Sequence, residues 1–138
     1  MRTLSTLLAV LFVFPGMAAA ERNITTAHAV LGDDGIQRLE IVAGSYFFEP
    51  NHIIVKLGIP VELSIKRESK VVSHNFVLKI EASGIDIKEK ISTKGTLIRF
   101  TPNVAGEFPF YCSLKLLFFK RHKDKGMEGV LEVLAATP

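Results

Sequence analysis

The sequence predicts an all-β fold, an antiparallel sandwich or barrel, on three observations. Short runs rich in β-branched and aromatic residues recur along the chain, and several alternate apolar with polar positions. Turn-forming Gly, Pro, Asn and Asp residues separate these runs at short intervals. The length of 138 residues, with 48% hydrophobic side chains, suits one domain with a single core. This near-average composition excludes a disordered tail, a collagen-like repeat and a disulfide-framed mini-protein. A formal charge of +3 is too mild to argue for nucleic-acid binding, and none is expected.

The first twenty residues read as a signal peptide. Arg2 supplies a positive start, residues 7–14 (LLAVLFVF) an apolar run, and Pro15-Gly16 a break. Ala18-Ala19-Ala20 then gives a small-residue cleavage site before Glu21. The run is far shorter than the ~20 residues of a membrane span. The expected organisation is a signal at 1–20, cleaved after Ala20, and a single domain at 21–138. The expected location is a bacterial periplasm, with no stable membrane insertion once the signal is gone.

Strands are predicted over residues 36–43 (IQRLEIVA), 45–48 (SYFF), 52–57 (HIIVKL), 60–66 (PVELSIK) and 71–80 (VVSHNFVLKI). Further strands are predicted over 85–91 (IDIKEKI), 96–101 (TLIRFT), 106–112 (GEFPFYC) and 129–134 (GVLEVL). Glu49-Pro50-Asn51, Leu57-Gly58, Ser83-Gly84, Lys94-Gly95, Pro102-Asn103 and Ala105-Gly106 mark turns between them. Nine short strands at this spacing imply a sandwich or barrel. One segment, residues 113–125 (SLKLLFFKRHKDK), has neither alternation nor Gly or Pro and reads as a helical turn or two.

Export would make the single Cys112 informative, because an oxidising compartment favours paired cysteines. On its own it is an inert buried thiol, an intermolecular disulfide partner, a catalytic thiol or a metal-bound thiolate. The neighbouring sequence narrows this. His122 follows ten positions later and Met127 five after that, while His74 lies upstream in a strand-like run. Singly, these would be a half-buried histidine, a solvated surface histidine and a core methionine. Together, one thiolate, two imidazoles and one thioether form a soft donor set of the kind that holds copper in electron-transfer sites. His52 and His28 read as surface residues. A Cys–His nucleophilic pair would need an orienting third group and an oxyanion site, and nothing in the sequence marks either, so no enzymatic activity is expected.

Longer stretches then carry a family resemblance. They are Phe48-Glu49-Pro50 with residues 53–61 (IIVKLGIPV), Ser73-His74-Asn75-Phe76, Phe100-Thr101-Pro102 with Ala105-Gly106-Glu107-Phe108, and Phe110-Tyr111-Cys112. The last is His122 followed by Gly126-Met127-Glu128-Gly129 and a terminal strand. The chain resembles the cupredoxins of the plastocyanin/azurin type. The resemblance implies a Greek-key β-sandwich, one copper ion cycling between Cu(I) and Cu(II), and His74, Cys112, His122 and Met127 as its ligands. It also implies an Asn75 backbone amide directed at the thiolate and an exposed second histidine ringed by an apolar patch. The departure is the loop, since nine residues separate Cys112 from His122 where familiar members have far fewer. A short helical excursion is expected to return His122 to the site.

Two functions follow as expectations. The first is a periplasmic single-electron carrier; the second is copper handling for tolerance, storage or delivery to an oxidase. The absence of a Met- or His-rich tract favours the carrier. Leu114, Leu116, Leu117, Phe118 and Phe119 of the loop either close the end of the sandwich, form a docking surface or meet a membrane surface. As a docking surface, with Lys115, Lys120, Arg121, Lys123 and Lys125 around them, they would steer a monomeric carrier toward an acidic cytochrome or oxidase.

Overall fold

A computed structural model describes residues 23–136; the signal expected over 1–20 lies outside them. Eleven strands are present among the described residues. They are β1 (Thr26–His28), β2 (Val30–Leu31), β3 (Gln37–Ala43), β4 (Phe48–Glu49), β5 (His52–Lys56) and β6 (Val61–Arg67). The rest are β7 (His74–Ile80), β8 (Ile85–Ile91), β9 (Thr96–Phe100), β10 (Gly106–Tyr111) and β11 (Glu128–Leu134). One sheet has the order β1-β5-β11-β10-β7-β8; the other has β2-β3-β6-β9, with β4 added to β3. This is the predicted two-sheet sandwich. Three pairings within it run parallel, β1 with β5, β5 with β11, and β3 with β6.

Period-two alternation places the inward side chains. Along β7, Phe76, Leu78 and Ile80 share one face and are almost fully buried. Leu63 and Ile65 of β6 and Ile53 and Val55 of β5 supply facing layers. Phe76 stacks on Phe110 at 5.1 Å, and Phe48 meets both edge-on at 6.0 and 5.4 Å. Gly129 of β11 makes room for this cluster, because a side chain there would overlap the Phe110 ring and the Asn51 carbonyl. Phe110→Ala is therefore expected to lower stability by about 3–5 kcal/mol, read from a urea midpoint. Gln37 ties the two sheets together: its amide donates to the Lys56 and Ile59 carbonyls and accepts from the Lys56 N–H.

Strand ends differ from the sequence reading where side chains or dihedrals intervene. The predicted 45–48 strand is a bend until Phe48, because Tyr46 sits at φ 64, outside the extended region. Gly44 before it leaves room for the Phe47 ring, which lies over it. The predicted 71–80 strand starts only at His74: the Ser69 hydroxyl accepts from the Val71 and Val72 N–H groups and holds a turn.

The 113–125 segment carries a single 3-10 turn, at Lys123–Lys125. The residues between Cys112 and His122 are not helical, which corrects the expected excursion there. They fold as a miniature hairpin, with Lys115 bridged antiparallel to Arg121 and the Phe119 N–H donating to Leu116 O. Leu117 turns the tip at φ 50.

Candidate metal centre

His74 opens β7 and continues the inward face of Phe76 and Leu78. Cys112 follows β10 and continues the inward face of Phe110. The two strands run antiparallel as neighbours, so the start of one lies beside the end of the other. Both side chains therefore point into the same end of the sandwich, above the aromatic cluster.

His122 reaches that point by way of the hairpin. Its N–H donates to Leu114 O at 2.8 Å, and its carbonyl accepts from Met127 N–H at 3.0 Å. The first bond pinches off residues 115–121, so the long spacing in sequence becomes a short one in space. Met127 is drawn in as well: the Cys112 N–H donates to its carbonyl at 3.0 Å, and its side chain is fully buried.

The His74 Nδ1, His122 Nδ1 and Cys112 Sγ atoms converge. The two nitrogens are 3.1 Å apart, and they lie 4.0 and 3.5 Å from the sulfur. The point equidistant from all three is about 2.1 Å from each, within the ~2.0–2.3 Å range of metal–imidazole and metal–thiolate bonds. Among the described residues this is the group of three donors able to hold a metal ion. His74 and Cys112 are completely buried and His122 is 3% exposed. The exposed second histidine implied by the resemblance is thus corrected. The Tyr46 ring covers His122 edge-on at 4.9 Å, and the Lys125 ammonium sits 4.2 Å above Tyr46.

The surroundings fix the donors. The Asn75 N–H points at Cys112 Sγ from 3.5 Å, as the resemblance implied. The Asn75 amide also locks the residue after the cysteine: its Nδ2 donates to Ser113 Oγ at 2.9 Å and its Oδ1 accepts from Ser113 N–H at 2.8 Å. Such supporting contacts set ligand orientation in metal sites. Tyr46 was not identified from sequence, because it lies in an apolar run that reads as strand. Outside the centre, His52 is half-buried between Thr26 Oγ1 and Glu132 Oε2, and His28 is exposed.

Electrostatics favour neutral imidazoles. Burial lowers the His74 pKa to about 4, helped by the charges of His122 and Arg67. Burial and Lys125 lower that of His122. Burial raises the Cys112 thiol, partly offset by N–H donation from Asn75 and Leu114. A bound cation would reverse that last balance by favouring the thiolate. A histidine with a depressed folded-state pKa binds fewer protons folded than unfolded, so its contribution is complete above the ordinary value of 6.5. The metal-free protein should therefore lose stability as pH falls from 6.5 toward about 4. In His74→Gln that part of the slope should disappear, as urea midpoints across this pH range would record.

The model of the cupredoxin-like domain family matches residues 5–126, most of the chain. The chain belongs to this family. Among solved structures it is similar to the metal-binding domain of the Cu(I)-exporting P-type ATPase CopA of Streptococcus pneumoniae D39, solved with Cu(I). That likeness has 28% identity and a TM-score of 0.58, covering 82% of this chain and 99% of that one. The dithionite-reduced auracyanin of Roseiflexus castenholzii is 19% identical with a TM-score of 0.57, over 70% and 96% of the two chains. Auracyanin A, a "blue" copper protein of Chloroflexus aurantiacus, is 21% identical with a TM-score of 0.56, over 72% and 100%. The auracyanin likenesses show the fold alone. A search of curated proteins finds no match.

Proposed function

We propose that the protein is a periplasmic electron carrier in which His74, Cys112 and His122 would hold one copper ion, with the buried Met127 as the fourth candidate donor. The observation carrying this reading is the buried triangle of two Nδ1 atoms and one Sγ. Three donors of this chemistry fit a trigonal copper site better than a tetrahedral zinc site, which closes with four strong ligands. Copper, when bound, supplies one-electron chemistry at the thiolate. The chain's own residues hold the donors still, since β7, β10 and the Asn75–Ser113 pair fix three of the flanking positions. Tyr46 and the aromatic cluster exclude water, which limits the solvent rearrangement that accompanies a change of charge. Binding and electron exchange, rather than turnover of a substrate, is what this arrangement supports.

A second reading has its own support. The likeness to a domain solved with Cu(I) in a copper exporter favours copper handling, in which the metal is passed on. Copper-loaded protein separates the two. A carrier should show an intense visible thiolate-to-copper absorption, a reversible one-electron potential, and slow loss of metal to a competing chelator. Rapid loss to the chelator with no reversible couple would favour handling, and no copper binding would overturn both.

A further inference from the structure

The hairpin tip exposes Leu116, Leu117, Phe118 and Phe119 in succession, the one run of four exposed large apolar residues among those described. Phe118 is as exposed as an isolated residue, at 104%, so it protrudes rather than lining a groove. The fold does not require this tip. Leu114, at the base, already packs on the core, and the His122–Leu114 bond closes the site beneath it. Leu117 even holds a left-handed backbone, a sparsely populated state for a bulky residue.

Behind the apolar tip stand the cations. Lys115, Lys120, Arg121 and Lys125 are all exposed, and Lys123 is half-buried over the Tyr111 ring. The only acid in the segment, Asp124, is engaged by Arg121 at 3.3 Å. Apolar residues leading and cations following is the depth order of a segment that rests in a bilayer interface. A rigid protein partner would need a pocket to receive a convex tip, whereas acyl chains deform around it. The collar complements anionic headgroups, each cation near such a surface adding to the attraction.

We propose that residues 115–121 form a finger that docks the protein reversibly on an anionic lipid surface, inserting Leu117 and Phe118. The proposal does not depend on copper.

The sequence contains no tryptophan, so Phe118→Trp in the full chain reports on the tip alone. Val30→Trp, exposed on a strand whose partner Arg38 lies at the other end of β3 from Tyr46, controls for attachment through that end of the sandwich. With vesicles of phosphatidylglycerol and phosphatidylcholine, the Phe118→Trp emission should shift to the blue and the Val30→Trp emission should not. Phosphatidylcholine alone should give little shift at either site. Adding Lys115→Gln and Lys120→Gln to Phe118→Trp should weaken vesicle binding roughly tenfold to thirtyfold. No shift on anionic vesicles, an equal shift on zwitterionic ones, or equal shifts at both reporters would overturn the proposal. So would a Phe118→Trp shift produced by an acidic cytochrome and not by lipid, which would make the finger a protein-docking surface.

Discussion

Cys112→Ser is expected to abolish the visible charge-transfer band of the copper-loaded protein outright. A serine oxygen cannot replace a thiolate as the soft, covalent donor, and Cys112 Sγ is the thiol that lies 4.0 and 3.5 Å from the two Nδ1 atoms. Affinity for Cu(I) should fall more than affinity for Cu(II), because the ligand lost is the soft one. The metal-free variant should stay folded: the side chains are similar in size, and the Asn75 N–H can still donate to the new hydroxyl. Circular dichroism of the metal-free form and an optical copper titration check both halves. Undiminished colour would remove Cys112 from the centre.

Loss of an imidazole is the second large effect, and the two histidines should respond differently. His74 belongs to a strand hydrogen-bonded on both sides, by β8 and β10, and is wholly buried. His122 sits in a loop held by backbone bonds to Leu114 and Met127, and its outer cover is the Tyr46 ring with Lys125 above it. Those covering side chains can move aside; neighbouring strands cannot. His122→Gly should therefore lose copper colour and regain much of it with added imidazole, while His74→Gly should lose it without recovery. Both losses should exceed the ~10–100-fold fall in metal affinity expected when only a supporting contact is removed, as in Asn75→Ala. Recovery in His74→Gly alone would reverse the assignment of the accessible and inaccessible positions.

Much of this architecture was legible because alternation is a local signal. β3, β5, β6, β8, β9, β10 and β11 fall within a residue of their predicted bounds, and along β5 and β6 every second side chain, Ile53, Val55, Val61, Leu63 and Ile65, is apolar and buried. β1 and β2 were missed, being three and two residues long and held by edge pairing rather than by pattern. The donors were legible through residue type and order, and the structure brings His74, Cys112 and His122 together. What sequence could not show was how His122 returns. A stretch such as Leu114–Phe119 lacks the Gly or Asn that usually announces a tight turn, and here a leucine takes the left-handed position. The burial of His122 was hidden for a related reason: its basic neighbours imply a solvated run, and Lys120, Arg121 and Lys125 are indeed exposed, while the histidine between them is buried. Tyr46 escaped notice because only its backbone angle distinguishes it from a strand residue.

The bond from His122 to Leu114 separates two properties that one loop would otherwise share. Residues 115–121 behave as a cassette clipped onto the protein at its base, so changes in their length or chemistry need not propagate to the donor atoms. If the finger docks as proposed, its surface could then vary while the geometry of the donor atoms stays constant, and the donors could change without remaking the outer surface. A variant replacing residues 115–121 with a two-residue Asn-Gly turn would keep the donors and discard the finger. On the proposed readings, surface attachment and metal binding would be set by adjacent stretches of chain that meet at the Leu114–His122 bond and at Lys125, which lies against both the Phe119 and Tyr46 rings.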